Sequence, residues 1–202
     1  KIIQASTSSI YGANPPYPTP ETASSDYPLQ AYAASKKGAE ALCHSYYHLF
    51  NVDVSIVRFF TVYGPAGRPD LAMFRFVQWI KEGRPLHLNG DGEQSRGFTY
   101  IDDIVAGVLA VAEAPPTELS TPFRLLNLGN HEPVSLGDFI ATLERLLGKE
   151  ANKQFVEMQP GDVHRTAANI EAARSLVGFS PSTSLAAGLE QFVTWYREYY
   201  RG

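Results

Sequence analysis

The chain has 202 residues, 44% of them hydrophobic, with 17 basic and 21 acidic side chains for a formal net charge of −4. That is apolar matter enough for one ordinary domain, or one and a small companion, and a mildly acidic balance with scattered Lys and Arg argues against nucleic acid or an anionic membrane as the main partner. No run approaches roughly eighteen apolar residues, nothing at the start reads as a signal peptide, and the single Cys43 excludes an internal disulfide, so a reducing cytoplasm is the expected setting.

Residues 1–5, Lys-Ile-Ile-Gln-Ala, read as a short buried strand running into a hydroxyl-rich end, Ser6-Thr7-Ser8-Ser9-Ile10-Tyr11-Gly12. Residues 13–28 hold five prolines and neither periodicity, which predicts a surface loop with Glu21 and Asp26 solvated. A helix is expected over 30–50, with Tyr32, Ala39, Cys43, Tyr46, Tyr47 and Phe50 facing the core or a partner. Cys43 reads as a small core residue, since no histidine is placed to activate it. Residues 52–60 are rich in β-branched and aromatic side chains and predict a strand ended by Gly64 and Pro65. Strand, helix, strand argues for a parallel α/β sheet.

A helix is predicted over 70–82 with Gly83 as its stop, then a short strand around Leu86-His87-Leu88 and a turn at Asp91-Gly92. Asp102 and Asp103 suit the start of a helix over 102–112 as capping acids, not metal ligands. A strand over 125–128 follows, then a helix opened by Ser135 and Asp138 with an apolar stripe of Leu136, Phe139, Ile140, Leu143 and Leu147. A late edge strand over 155–158, a turn at Pro160-Gly161-Asp162, and helices over 169–177 and 185–200 complete the chain.

The chemistry-bearing stretch is Tyr32-Ala33-Ala34-Ser35-Lys36. At i and i+4 a helix stacks the phenol and the ammonium on one face. A phenol is a poor base at neutral pH unless a nearby positive charge stabilises its phenolate, and Lys36 is such a charge. Taken alone the pair is more often a half-buried aromatic beside a solvated lysine. With the hydroxyl-rich strand end, Gly12, the proline-rich loop and the later Arg58-Phe59-Phe60-Thr61-Val62-Tyr63-Gly64-Pro65, however, nearly the whole chain resembles the extended short-chain dehydrogenase/reductases, and within them the nucleotide-sugar epimerases and dehydratases.

That resemblance implies the C-terminal part of a Rossmann-type doubly wound parallel sheet plus a small α/β substrate-binding domain. Residues 1–65 would belong to the dinucleotide-binding domain and 66–202 mostly to the nucleotide-sugar domain, with some segments returning to the Rossmann sheet. No Gly-x-x-Gly-x-x-Gly lies between a strand and a helix, Gly90-Asp91-Gly92 being broken by Ser95. The pyrophosphate-gripping segment is therefore expected in front of Lys1, and these residues as the C-terminal two-thirds of a longer enzyme, inactive by themselves.

By the same resemblance Thr7, Tyr32 and Lys36 are the catalytic triad, with Tyr32 as acid/base. NAD would lie against Ala5, Ser6, Tyr32, Lys36, Phe59 and Val62. The dehydratases carry an Asp-Glu pair, and the decarboxylases a Glu, where this chain has Ser8 and Ser9. With no acid there, oxidation followed by return of the hydride is what remains, which is epimerisation.

The run Gly67-Arg68-Pro69-Asp70-Leu71-Ala72-Met73-Phe74 is similar to that of the UDP-glucuronate 4-epimerases apart from Leu71, and Thr61 stands where galactose-type epimerases have Asn. Ser8, Ser9 and Thr61 would donate to a sugar carboxylate, with Arg68 beside it. Pro85, Leu86, His87 and Leu88 would back the uracil, Arg96 would meet the diphosphate, and Asp162 the ribose or that arginine. Gln159 replaces an arginine of the galactose epimerases, with Arg165 nearby. No metal is implied, and a homodimer through helix 30–50 is. A 4-epimerase of UDP-galactose or a UDP-N-acetylhexosamine, or a non-catalytic binding or dimerising module of the same fold, are the alternatives.

Overall fold

A computed structural model describes residues 1–90, 92–114, 123–157 and 164–200. Strand β1 (Ile2–Thr7) ends in a 3-10 turn (Ser8–Tyr11), and helix α1 (Ala31–Phe50) returns the chain to β2 (Val54–Phe59). Then come β3 (Val62–Tyr63), α2 (Ala72–Glu82), β4 (Pro85–Asn89), β5 (Ser95–Arg96), β6 (Thr99–Tyr100) and α3 (Ile101–Glu113). The last part is β7 (Phe123–Leu128), β8 (Val134–Ser135), α4 (Leu136–Leu147), β9 (Asn152–Val156), β10 (Arg165–Thr166), α5 (Glu171–Val177) and α6 (Leu185–Tyr199).

The principal sheet is parallel with order β1-β2-β7, in the register Ile2 to Val54 and Val54 to Phe123. Central β2 is buried on both faces, Val54, Ile56 and Val57 having no exposed area and Ser55 and Arg58 being buried among them, which is why its sequence does not alternate apolar with polar. Ile10, Leu126, Leu128, Ile170 and Phe179 pack with its Val57. A second core, with Phe74, Val77, Leu86, Phe139, Leu143, Leu189 and Phe192 among its members, joins α2, α4 and α6 to the parallel pair β4-β9. Small ladders β3-β6 and β10-β5-β8 and a single parallel bridge between Thr19 and Ala168 complete the pairing among the described residues.

Ser135 and Ser184 accept from Asp138 N and Ala187 N to cap α4 and α6. Gly83 (φ 70°) stops α2, a left-handed position where a side chain would be strained. No helix among the described residues is long and apolar enough to cross a membrane.

Some expectations shift. The inward face of α1 is built on Ala33 and Glu40, while Tyr32, Tyr46 and Phe50 are exposed and Ala39, Cys43 and Tyr47 half-buried. The apolar stripe misleads because the helix meets the sheet through small residues and one buried acid. Burial and the Glu40 charge push the Cys43 thiol up, away from thiolate. Asp102 and Asp103 stand in the first turn of α3, but Tyr100 holds its cap position, and Asp103 instead accepts from Ser182 N (3.4 Å) and Thr183 N (3.0 Å), tying down the lead into α6. The late strand β9 starts earlier, at Asn152. The turn expected at 160–162 lies outside the described residues.

Candidate active site

At the carboxyl end of β1, Ser6 and Thr7 are buried. Thr7 Oγ1 accepts from Ser9 N and donates to Ser9 Oγ, both at 3.2 Å, which folds the hydroxyl-rich tip into its 3-10 turn. Tyr32 and Lys36 stand on the first two turns of α1, which packs against this tip. Lys36 Nζ donates to Ala5 O at 3.0 Å and lies 6.0 Å from the centroid of the Tyr32 ring. Tyr32 is 52% exposed. The fold thus joins Ala5, Tyr32 and Lys36 directly and sets Thr7 two residues along the same strand end.

What fixes α1 against the sheet is a buried network that sequence reasoning missed. Glu40, one turn beyond Lys36, accepts from Arg58 Nε (2.9 Å), Arg58 Nη2 (2.7 Å) and Ser6 Oγ (2.5 Å). Arg58 is 2% exposed and Glu40 5%. Arg58 Nη1 also donates to the Tyr11 hydroxyl (3.0 Å), which donates to Asn127 Oδ1 (2.7 Å). Burial works to lower the Arg58 proton affinity, and the bonds to Glu40 and Tyr11 more than restore it. Burial likewise pushes the Tyr11 phenol up, so Tyr11 stays a neutral donor, whereas Tyr32 is half-exposed with the Lys36 ammonium near its ring.

Glu21, expected in solvent, belongs to this network, because Asn127 N donates to its Oε1 at 2.8 Å. Desolvation raises its carboxyl pKa against the pull of that bond and of Arg58. A folded carboxyl that holds its proton more tightly than the unfolded one makes stability fall as pH rises from the ordinary glutamate range through the raised value. Glu21→Gln keeps the acceptor without the charge, so its melting temperature relative to wild type should climb across that window and level off above it.

Two cavities lie beside the strand end. One of about 220 Å³ is lined by Ser8, Ser9, Tyr11, Thr61, Arg96 and Thr166 among others, none of them acidic. The other, of about 380 Å³, is lined by Thr61, Trp79, His87, Leu88, Gln94, Arg96 and Phe98 among others. Thr61 and Arg96 border both, so Ser8, Ser9, Thr61, His87, Leu88 and Arg96 are brought together. Arg96 Nη1 donates to Ser95 O (3.0 Å) and His164 O (3.1 Å), which anchors its side chain.

The rest fall elsewhere. Leu86 has no exposed area and lies in the core with Phe139 and Leu143, Pro85 is exposed, and neither borders a cavity described above. Arg68, 73% exposed in its side chain, forks onto Asp70 at 3.1 Å through both nitrogens and also borders neither. Phe59 and Val62 are half-buried against the core around β2. Arg165 lies 4.7 Å over the Tyr17 ring. Asp162 and Gln159 lie outside the described residues. Among the described residues no group of His, Cys, Asp or Glu could hold a metal ion. Trp79, Gln94, Phe98 and Thr166 were missed as lining residues, since only tertiary folding gathers them.

A parallel α/β sheet whose strand end meets Tyr-x-x-x-Lys on the following helix, with cavities beside it, defines a Rossmann-type fold of the extended short-chain dehydrogenase/reductase kind. The chain belongs to the NAD dependent epimerase/dehydratase family, whose model matches residues 1–129. It is 44% identical over 214 residues to a probable UDP-glucuronate 4-epimerase of Rhizobium meliloti (strain 1021), covering 99% of this chain and 63% of that protein. It is 45% identical over 200 residues to the UDP-glucuronate 4-epimerase of Thermodesulfobacterium geofontis (strain OPF15), covering 98% and 59%. The crystal structure of UDP-glucuronic acid 4-epimerase from Bacillus cereus in complex with UDP-glucuronic acid and NAD superposes with a TM-score of 0.86 at 38% identity, covering 98% of this chain and 62% of that one. The chain thus spans about 60% of the length of these relatives.

Proposed function

We propose that the protein carrying this chain interconverts UDP-glucuronate and UDP-galacturonate through a 4-keto intermediate, with NAD as cofactor. The observation that carries this reading is the Lys36 ammonium 6.0 Å from the centre of the Tyr32 ring and held to Ala5 O at 3.0 Å, on a helix whose leading residues Leu29 and Gln30 line a cavity that offers hydroxyls and one arginine and no carboxylate. The similarity to UDP-glucuronate 4-epimerases supports the same substrate.

The residues present fit the nicotinamide end of NAD. The Lys36 ammonium, spending one donor on Ala5 O, keeps donors for a ribose, with Ala5, Ser6, Phe59 and Val62 at the strand ends around it. When bound, NAD supplies the acceptor and donor of the hydride at C4. Tyr32 takes the 4-hydroxyl proton and later returns it, Lys36 stabilises the phenolate, and Thr7, giving up its bond to Ser9 Oγ, donates to the same sugar oxygen. Ser8, Ser9 and Thr61 hold the sugar carboxylate without a fixed charge that would bind the keto form too tightly. With no acid in that loop to expel a hydroxyl, the keto sugar can only be reduced again.

Arg96 would meet the diphosphate, and Asp162 the ribose. Arg96→Ala should raise KM by about tenfold to a hundredfold with kcat nearly kept, the loss expected for a charge-assisted contact made equally in ground and transition states; steady-state kinetics check it. Arg68, paired with Asp70, would order the loop before α2. Residues 1–65 would serve the dinucleotide and most of 66–202 the sugar nucleotide. A homodimer through α1 accounts for the exposed Leu42, Tyr46, Leu49 and Phe50 on that helix, and one half-buried thiol suits the cytoplasm.

The test is to incubate the full-length gene product with UDP-glucuronate, UDP-galactose and UDP-N-acetylglucosamine and resolve the products by chromatography. UDP-galacturonate formed from the first, with little turnover of the others, supports the reading; preference for a neutral sugar overturns it.

A further inference from the structure

We infer that Thr166 is a ligand-contacting residue, its hydroxyl donating to an anionic oxygen of the sugar nucleotide beside Arg96. The inference rests on the function proposed above and adds to it a residue that the sequence did not single out. Among the described residues, Thr166 Oγ1 is a buried side-chain oxygen with no hydrogen-bond partner. The other such atom, Asp53 Oδ2, faces Lys1 Nζ at 3.9 Å; the Thr166 hydroxyl instead belongs to a residue that lines a cavity. A buried hydroxyl left unmatched is costly, and such groups persist where something absent from the bare fold completes them.

The position points to the ligand. Thr166 lines the smaller cavity with Ser8, Ser9, Tyr11, Thr61 and Arg96. In the parallel ladder β5-β10 its Cα is the direct partner of Arg96. Gly97 N donates to Thr166 O at 2.7 Å, which fixes the backbone so that the side chain cannot drift from the cavity. Just beyond, Thr19 N donates to Ala167 O (2.9 Å) and Asn127 Nδ2 to Asn169 O (3.2 Å), locking the following residues to the proline-rich loop and β7. A hydroxyl donor so held, next to a guanidinium in a cavity without carboxylates, suits an anionic oxygen, either of the diphosphate or of the sugar acid.

The test compares Thr166→Val and Thr166→Ser with wild type in the full-length gene product. Affinities for UDP, UDP-glucose and UDP-glucuronate are measured by calorimetry, and melting temperature without ligand. Valine should bind about tenfold to a hundredfold more weakly, serine should restore most of the affinity, and the unliganded valine variant should melt no lower than wild type, since no folded-state bond is lost. Weakening of all three ligands assigns the contact to phosphate, and weakening of UDP-glucuronate alone assigns it to the carboxylate. Unchanged affinity in Thr166→Val, or a lowered melting temperature that accounts for the weaker binding, overturns the inference. If wild type itself binds none of the three, the functional reading falls, and this inference with it.

Discussion

Replacing Tyr32 by phenylalanine in the full-length gene product should lower kcat by about 10²- to 10⁴-fold, the usual contribution of a positioned acid/base group, while affinity for UDP and the melting temperature stay near wild type. Tyr32 is half-exposed and its hydroxyl makes no hydrogen bond among the described residues, Ser35 Oγ bonding instead to the Tyr32 backbone carbonyl at 2.7 Å. Loss of the oxygen therefore removes chemistry and little else. Tyr11, the other tyrosine at this end of the sheet, cannot take over, because its hydroxyl is engaged by Arg58 and Asn127 and burial keeps it protonated. Turnover of Tyr32→Phe within a few-fold of wild type would remove Tyr32 from the role assigned to it.

The second large effect is on stability. Glu40→Ala should destabilise the fold by about 3–5 kcal/mol, the cost of leaving one member of a buried ion pair uncompensated, which for a chain of this size lowers the melting temperature on the order of ten degrees. Three donors would lose their acceptor at once: both Arg58 nitrogens and the Ser6 hydroxyl. The pair Glu40→Leu with Arg58→Met, which removes both charges, should recover a large part of the loss. Since Glu40 holds α1 to the strand end through Ser6, any single variant that still folds should also be a poorer enzyme, with the fall in kcat and not in KM.

These two effects mark how far the sequence could be read. The Tyr32–Lys36 relation is local, four residues on one helix, so spacing alone placed both groups on one face and the neighbouring hydroxyl-rich strand named their site. Strands β1, β2 and β7, the cap at Ser135 and the stop at Gly83 were legible for the same reason: each is written in a run of a few residues. Glu40 was not, because an acid on a helix reads as a solvated position unless its partner is known, and Arg58 lies eighteen residues away on a strand that reads as plain core. Glu21 failed likewise, its partner Asn127 being supplied by β7. Pro85 and Leu86 were grouped with His87 and Leu88 by adjacency, though the cavity borders only the later part of the strand. Two-residue strands such as β5, β8 and β10 carry no periodicity at all, and it is β10 that brings Thr166 beside Arg96.

The central claim is that the sugar is oxidised and reduced again at C4 with Tyr32 moving the hydroxyl proton. UDP-glucuronate carrying deuterium at C4, incubated with the full-length gene product in ordinary water, tests it most directly by mass spectrometry of the product. The account predicts UDP-galacturonate that keeps the deuterium at C4. Product with solvent hydrogen there, or no inversion at C4, would contradict it.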